Sequence, residues 1–330
     1  MAYYEVHYLD VKDADSIVIR YEDGDNKYIV LVDAGNVGES DKIKRFIWNR
    51  WNTHTIDLAI CTHPDSDHKG GFFELLNDSE MTFKEFWLNT PDDVITEVLY
   101  HKVYPKGSWL KHCRECYSHP TDELSPDLVS LALYKCPKNV YKAYKGKRHS
   151  QIPISVVGPT EDFYFPLAWN ILRNNKRAKD SDESLYEDYG LFSAIEAKSS
   201  IDNEADDDSP TNAGSIMLLF EPGNYSKFLL MGDANRAAIS DAISNNSNLS
   251  GAVIKVPHHG SKHNMTSGLI DELAPNCAII SAKGTQKHPS RGIVHCLSKH
   301  CNVYSTHVSG DLYHSPGASQ NPATPLKNKQ

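Results

Sequence analysis

Three runs rich in β-branched and aromatic residues open the chain, "YEVHYLDV", "SIVIRYE" and "KYIVLVDAG", and the polar stretch "EDGDN" between the last two is turn-forming. This pattern predicts a hairpin or meander. "SDKIKRFIWNRWNT" follows with apolar residues at helical spacing and Ser40 or Asp41 as the cap. "TIDLAICTH" is a short continuous apolar run, as expected of a strand covered on both faces. The same grammar returns late, with strand-like "SIMLLFE", "SKFLLMGDA", "AVIKVPHHGS" and "CAIISAKG" interleaved with helix-like "RAAISDAIS" and "MTSGLIDELA". After these, "IVHCLSKH" leads into "NVYSTH". Two β-rich halves flanked by helices predict a layered α/β sandwich.

Between the halves the pattern changes. Residues from about 95 to 150 read as a helical insertion carrying the basic cluster "KNVYKAYKGKRH". Residues from about 174 to 210 include "KDSDESLYEDYG" and "IDNEADDDSPTN", acidic and without apolar periodicity, which reads as a flexible insertion. Residues 1–315 are then a single domain, and 316–330 a disordered, Pro-, Ser- and Asn-rich tail. The 330 residues are 40% hydrophobic, enough for a sizeable core. No apolar run approaches the ~20 residues of a membrane span, and the first residues lack the basic and apolar regions of an export signal. Seven cysteines, an odd count, favour reduced thiols. The expectation is a soluble, cytoplasmic protein that engages no membrane. A net charge of -9 argues against non-specific coating of nucleic acid but leaves room for a local basic groove.

The chemistry concentrates at strand ends. "AICTHPDSDHKGGF", beginning at Ala59, packs His63, Asp65, Asp67 and His68 onto the loop after an apolar run. A loop at a strand end can splay several short side chains toward one point, and imidazole and carboxylate are ligands for divalent metals. A solvated acidic turn with incidental histidines is the plainer account of that stretch alone. Two further apolar runs weigh against it: "FLLMGDAN" ends in Asp233, and "IKVPHHGSKH" ends in His258 and His259. One converging metal site explains all three. Elsewhere "KHCRECYSH" gathers His112, Cys113, Cys116 and His119, with Cys136 further on, which is half of a structural zinc pattern. On a helix, Cys113 and Cys116 share a face and pack inward as small hydrophobes, and that reading is preferred.

"THPDSDHKGG", "LLMGDA", "VPHHGSK" and "KHPS", in this order, resemble the metallo-β-lactamase superfamily. More narrowly they resemble its ComEC-type branch of soluble metallo-hydrolases, named for the DNA-internalisation competence protein. "YLDVKDADSIVIRY", "VLVDAG", "NAGSIMLLFE" and "NVYSTHVSGDL" are similar to further motifs of that branch, although "KDADS" replaces its glycine-rich first turn. The resemblance implies an αββα four-layer sandwich with two divalent metal ions, Zn or Mn. By position, His63 and Asp65 would bind one ion, Asp67 and His68 the other, and Asp233 would bridge. His258 or His259 would complete the second site; strand alternation lets one of the two point inward easily, with His259 favoured. Asp65 stands where hydrolytic lactamases have histidine, and no histidine occurs between His149 and His258. Asn212, water or substrate would then replace a ligand, leaving an oxygen-rich first site for which Mn²⁺ competes with Zn²⁺.

Two closely spaced metals can generate a hydroxide that attacks a phosphorus or carbonyl centre. Asp67 would orient it, Ser261, Lys262, Lys287 and His288 would hold phosphate oxygens, and Lys262 and His288 would assist catalysis, His288 by protonating the leaving alkoxide. The plainer reading of Lys262 and His288, as exposed polar loop residues, is the lesser alternative. Asp33 reads as a buried carboxylate supporting the metal loop. The leading expectation is a phosphodiesterase or nuclease cleaving DNA or RNA, with the basic segment from Lys138 to Arg148 tracking a phosphate backbone. A hydrolase of a small phosphodiester or cyclic nucleotide is the alternative, and a non-catalytic binding subunit the second. Family resemblance alone raises a protein partner from a multi-gene system.

Overall fold

The computed structural model describes residues 2–91, 117–120, 126–173, 194–223, 226–285, 287–316, 318–319 and 325–326. The three opening runs form β1 (Tyr3–Tyr8), β2 (Ile17–Asp23) and β3 (Asn26–Val32), an antiparallel meander with Gly24 at positive φ in its predicted turn. α1 (Ser40–Trp51) follows; it starts at Ser40 with Glu39 in the cap position and no side-chain cap bond, so neither Ser40 nor Asp41 caps it. The "TIDLAICTH" run is broken into β4 (Thr55–Ile56) and β5 (Leu58–Ile60), and α2 (Ser66–Asn77) leads to β6 (Thr82–Phe83) and β7 (Phe86–Trp87). Within the expected helical insertion the described residues form α3 (Leu128–Lys135) and then β8 (Val140–Tyr141), a strand at the sheet edge.

β9 (Ile154–Gly158), α4 (Glu161–Arg173), α5 (Ala194–Asp202) and α6 (Pro210–Ala213) lead into the second half. There β10 (Met217–Gly223), β11 (Ser226–Leu230), α7 (Arg236–Asn245), β12 (Val253–Lys255), α8 (Ser267–Leu273), β13 (Cys277–Ile280), α9 (Arg291–Leu297) and β14 (Asn302–Ser305) alternate. β15 (Leu312–Ser315) and β16 (Ala318–Ser319) return to the first sheet. The sheet orders are β16-β15-β1-β2-β3-β5-β7-β8 and β14-β13-β12-β11-β10-β9, with β4 and β6 paired apart.

Side chains alternate across each strand, so a strand that is apolar at every position must be covered on both faces. Val18, Leu31 and Ala59 pack against Ile43 and Ile47 of α1 and Phe72 and Leu75 of α2, while their neighbours Ile19, Val30 and Ile60 face the second sheet. There they meet Leu218, Phe228, Leu230 and Ile279, whose neighbours Leu219, Leu229 and Ala278 pack against Ile239 of α7, Ile270 of α8 and Ile293 of α9. Helices, sheet, sheet, helices: the fold is the expected αββα four-layer sandwich. Among the described residues no helix is long and apolar enough to cross a membrane, and none of the described cysteines Cys61, Cys136, Cys277, Cys296 and Cys301 is in a disulfide.

Candidate metal centre

β5, β12 and β13 run parallel to both neighbours and β11 runs parallel to β12, and the residues just past their carboxyl ends converge. Such ends are where open α/β sheets place ligands. After β5 the chain passes Thr62 and His63, and α2 begins with Asp65 at its cap and Asp67 and His68 in its first turn. The glycine pair in "HKGG" now has a steric reason. A Cβ on Gly70 would lie 2.4 Å from Val37 N, and one on Gly71 2.2 Å from Ala34 O. The absence of side chains lets the helix start press on the loop after β3. That loop carries Asp33, at φ 56. Its carboxylate accepts hydrogen bonds from Thr62 N (2.8 Å), Thr62 Oγ1 (2.8 Å) and His68 Nδ1 (2.8 Å). Asp33 therefore takes the support position expected of it and turns His68 Nε2 toward the centre.

The second half supplies the facing groups. Asp233 follows β11, with its backbone N–H donating to Ser215 Oγ (3.2 Å). Its two oxygens part company: Oδ1 is 3.3 Å from His68 Nε2, whereas Oδ2 is 3.9 Å from His63 Nε2 and 4.0 Å from His258 Nε2. His259 Nε2 lies 3.1 Å from Asp67 Oδ2 and its Nδ1 donates to Ser281 O (2.9 Å). Strand alternation does not choose between His258 and His259, because β12 ends at Lys255 and His258–Gly260 is a 3₁₀ turn with both histidines at positive φ (47° and 52°). Both reach Asp233: His258 Nε2 is 4.0 Å from its Oδ2, and a ring nitrogen of His259 lies within 4.8 Å of its carboxylate.

Charge and burial act against each other throughout. Burial works to lower His68, but Asp233, Asp67 and Asp33 outweigh it and hold it well above the usual imidazole range. Burial likewise opposes the charged form of Asp233, yet His68 and His258 keep its carboxyl well below the usual range. His258 is raised to about 9, burial being overcome by Asp233 and Asp207.

A divalent cation fits this arrangement. Ligand atoms of Asp67, His68, Asp233 and His259 all lie within 4.8 Å of one another. His63 Nε2 and His68 Nε2 are buried and have no hydrogen-bond partner among the described residues, although both face carboxylates. Crowded imidazole nitrogens and carboxylate oxygens left unpaired in this way suit a metal ion. His63 Nε2 is also 3.8 Å from Asp65 Oδ2, so His63, Asp65, Asp233 and His258 frame a second position beside the first. Asp15, Asp33 and His68 form another acidic group. Asp33 is spent on Thr62 and His68, and Asp15 pairs with the buried Lys255 ammonium, so that group is support rather than a site.

The other expected residues divide. His288 stacks on His258 with ring centroids 5.6 Å apart, and its Nδ1 has no hydrogen-bond partner among the described residues. Burial and the charges of His259 and His258 push it down to about 3. Without metal it is therefore held as the neutral imidazole at neutral pH. Ser261 is buried and its Oγ accepts from His263 N (3.2 Å). Lys262 Nζ pairs with Glu204 (2.9 Å). Lys287 is exposed. Asn212 is buried, donating to Asp207 Oδ2 (2.8 Å). His112, Cys113 and Cys116 lie outside the described residues; His119 packs edge-on to Phe73 and Cys136 is buried.

Asp207 is the residue that sequence reasoning missed. It sits within the stretch read as a flexible acidic insertion, yet its carboxylate accepts from His258 Nδ1 (3.1 Å), Asn212 Nδ2 and Asn264 Nδ2 (3.1 Å). Around it, Asn235 Nδ2 donates to Asp207 O (2.8 Å), and Arg236 donates to the carbonyls of Glu204 (2.7 Å), Ile201 (2.7 Å) and Lys262 (2.9 Å). Each bond satisfies backbone that composition alone assigns to solvent.

No family model matches the chain. A stretch of 112 residues, 33% of this chain, is 33% identical to ComE operon protein 3 of Bacillus subtilis (strain 168), and the match spans 14% of that protein's length. Among solved structures, metallo-β-lactamase SMB-1 bound to 2-mercaptoethanesulfonate overlaps 78% of this chain and 82% of its own, with 9% identity and a TM-score of 0.33.

Proposed function

We propose that this chain is a metal-dependent hydrolase of phosphodiesters, a nuclease acting on DNA or RNA. The observation that carries the reading is Asp233, whose two oxygens face two different histidine and aspartate groups, as a carboxylate shared by two cations must. His63, Asp65, Asp233 and His258 would hold one ion, and Asp67, His68, Asp233 and His259 the other. When bound, two divalent ions polarise a phosphoryl oxygen and bring the pKa of a water toward neutrality. The chain's own part is orientation. Asp33, the Ser281 carbonyl and Asp207 each take the Nδ1 proton of one histidine and present its Nε2. Asp67 is held by His259, and neutral His288, ring on ring with His258, offers Nδ1 to a substrate oxygen. The resemblance to ComEC-type proteins supports the choice of nucleic acid. A net charge of -9 favours a small diester as the second reading.

The test is cleavage of single- and double-stranded DNA, RNA and a chromogenic phosphodiester by chelated protein reloaded with Zn²⁺ or Mn²⁺, with Asp233→Asn alongside. Metal-dependent polymer cleavage lost in the variant supports the nuclease. Turnover of the small ester alone moves the reading to a small-molecule phosphodiesterase, and tight metal binding without turnover of anything removes the hydrolase.

A further inference from the structure

The chain is acidic overall, yet residues 138–148, "KNVYKAYKGKR", hold five cations and no acid. Lys138, Lys142, Lys145 and Arg148 are exposed. The strip contains β8, the edge strand of its sheet. Lysines on an edge strand also discourage pairing with other chains, and two further observations separate a ligand site from that role. First, aromatic rings interleave the cations: Tyr141 is 38% exposed, and Lys147 Nζ lies 3.9 Å from its ring centroid and 5.3 Å from that of Trp87. Glu85, the acid beside the strip, is taken up by Trp87 Nε1 and lies 3.7 Å from His149 Nε2.

Second, the strip is tied to the candidate metal centre. Asn89 Nδ2 donates to Ala143 O (3.0 Å), and Ala143 N donates back to Asn89 Oδ1 (2.7 Å). Asn89, together with His63, Pro64, Tyr117 and Tyr164, lines a small cavity. The next strip residue, Tyr144, packs on Tyr164 with ring centroids 5.4 Å apart. Through Asn89 and Tyr164 the buried base of the strip is therefore joined to the lining beside His63.

We infer that residues 138–148 are the track for a single-stranded nucleic acid, delivering its backbone to the metal centre past the cavity beside His63. The inference rests on the nuclease reading and names the strand state of its substrate. Cations gathered on a short edge strand and the turn after it can meet several phosphates, and an exposed tyrosine offers a stacking face to bases that a duplex keeps buried.

Binding by chelated protein separates this track from catalysis. Fluorescence anisotropy with a labelled 12-nucleotide single strand is expected to show affinity that falls with salt, and tighter binding than to the matching duplex. The K142E/K145E/R148E variant should bind at least about ten-fold more weakly, with the log–log salt slope shallower by about 2, at roughly 0.7 for each phosphate no longer neutralised. Tyr141→Ala should weaken single-strand binding about ten-fold and duplex binding less. Unchanged melting temperatures certify that the variants fold. Equal affinity of wild type and the triple variant, or preference for duplex, overturns the track. If wild type nevertheless cleaves the chromogenic diester, the hydrolase stands without the track; strip-dependent binding in a protein that cleaves nothing keeps the track and removes the hydrolase.

Discussion

His258 donates from Nδ1 to Asp207 Oδ2 across 3.1 Å, and through that bond the acidic segment between α5 and α6 becomes part of the candidate metal centre. Asp207→Asn keeps the shape and removes the charge that steadies the imidazole. Partners of this kind are worth 10- to 100-fold in metal affinity. The expected result is a loss of about that size at one of two ions, read by competition with a chromogenic chelator. Loss at both ions, or at neither, contradicts the placement of Asp207.

The same pair shapes the pH dependence of the metal-free protein. Burial works to raise Asp207, but hydrogen bonds from His258 and Asn212 outweigh it and lower it from 3.8 to about 2. A lowered carboxyl stabilises fully above its unfolded value and ceases to do so as pH falls through its folded one. His258 runs oppositely, raised from 6.5 to about 9, so its contribution is full below 6.5 and lost as pH rises through 9. In chelated protein the melting-temperature advantage of wild type over Asp207→Asn should therefore be greatest between about pH 4 and 6.5 and shrink on either side. Metal must displace the proton on His258, so affinity should climb with pH up to about 9. A wild-type advantage over Asp207→Asn that keeps growing between pH 7 and 9 contradicts this account.

Lys255 and Asp15 pair with essentially no exposure, joining the end of β12 in one sheet to the turn before β2 in the other. Removing one partner of a buried pair strands the other's charge, at a cost of about 3 to 5 kcal/mol. Lys255→Met should lose that much in urea unfolding, and adding Asp15→Asn should restore a good part. A double variant no better than the single one would show that the pair is not the source.

Gly71→Ala places a methyl 2.2 Å from Ala34 O, and a backbone carbonyl in a hydrogen-bonded loop has little room to yield. Overpacking of this sort costs about 1 to 3 kcal/mol, and here it displaces the loop that holds Asp33. Both melting temperature and metal affinity should fall. Gly268→Ala, on the exposed side of α8 with its nearest neighbour 3.8 Å away, should instead raise stability slightly while leaving metal affinity alone. Calorimetry of the two variants with and without metal distinguishes a local clash from a general intolerance of alanine.

The layers of the sandwich were legible because most strands and helices announce their faces by period alone, and the "THPDSDHKGG" and "MGDA" strand ends carry carboxylates and imidazoles with no apolar reason to be there. Asp207 was not, because "NEADDDSP" has the composition of a solvated run and its burial depends on Arg236 and Asn235, donors from α7 and its cap. The paired roles of His258 and His259 were hidden for a different reason. Period-two reasoning assumes the strand continues, and two successive positive φ angles cancel it. Lys262 and His288 were named from their positions after site strands, and their neighbours Glu204 and His258 could be known only once the loops were folded.

His63, Asp65, Asp67 and His68 descend from the first sheet, and Asp233, His258 and His259 from the second. Neither layer carries a whole centre, so the cluster exists only where the two halves of the polypeptide have docked in register. An ion captured there would be a cross-link between halves, and its release under rising denaturant would time the parting of the sheets from within the molecule.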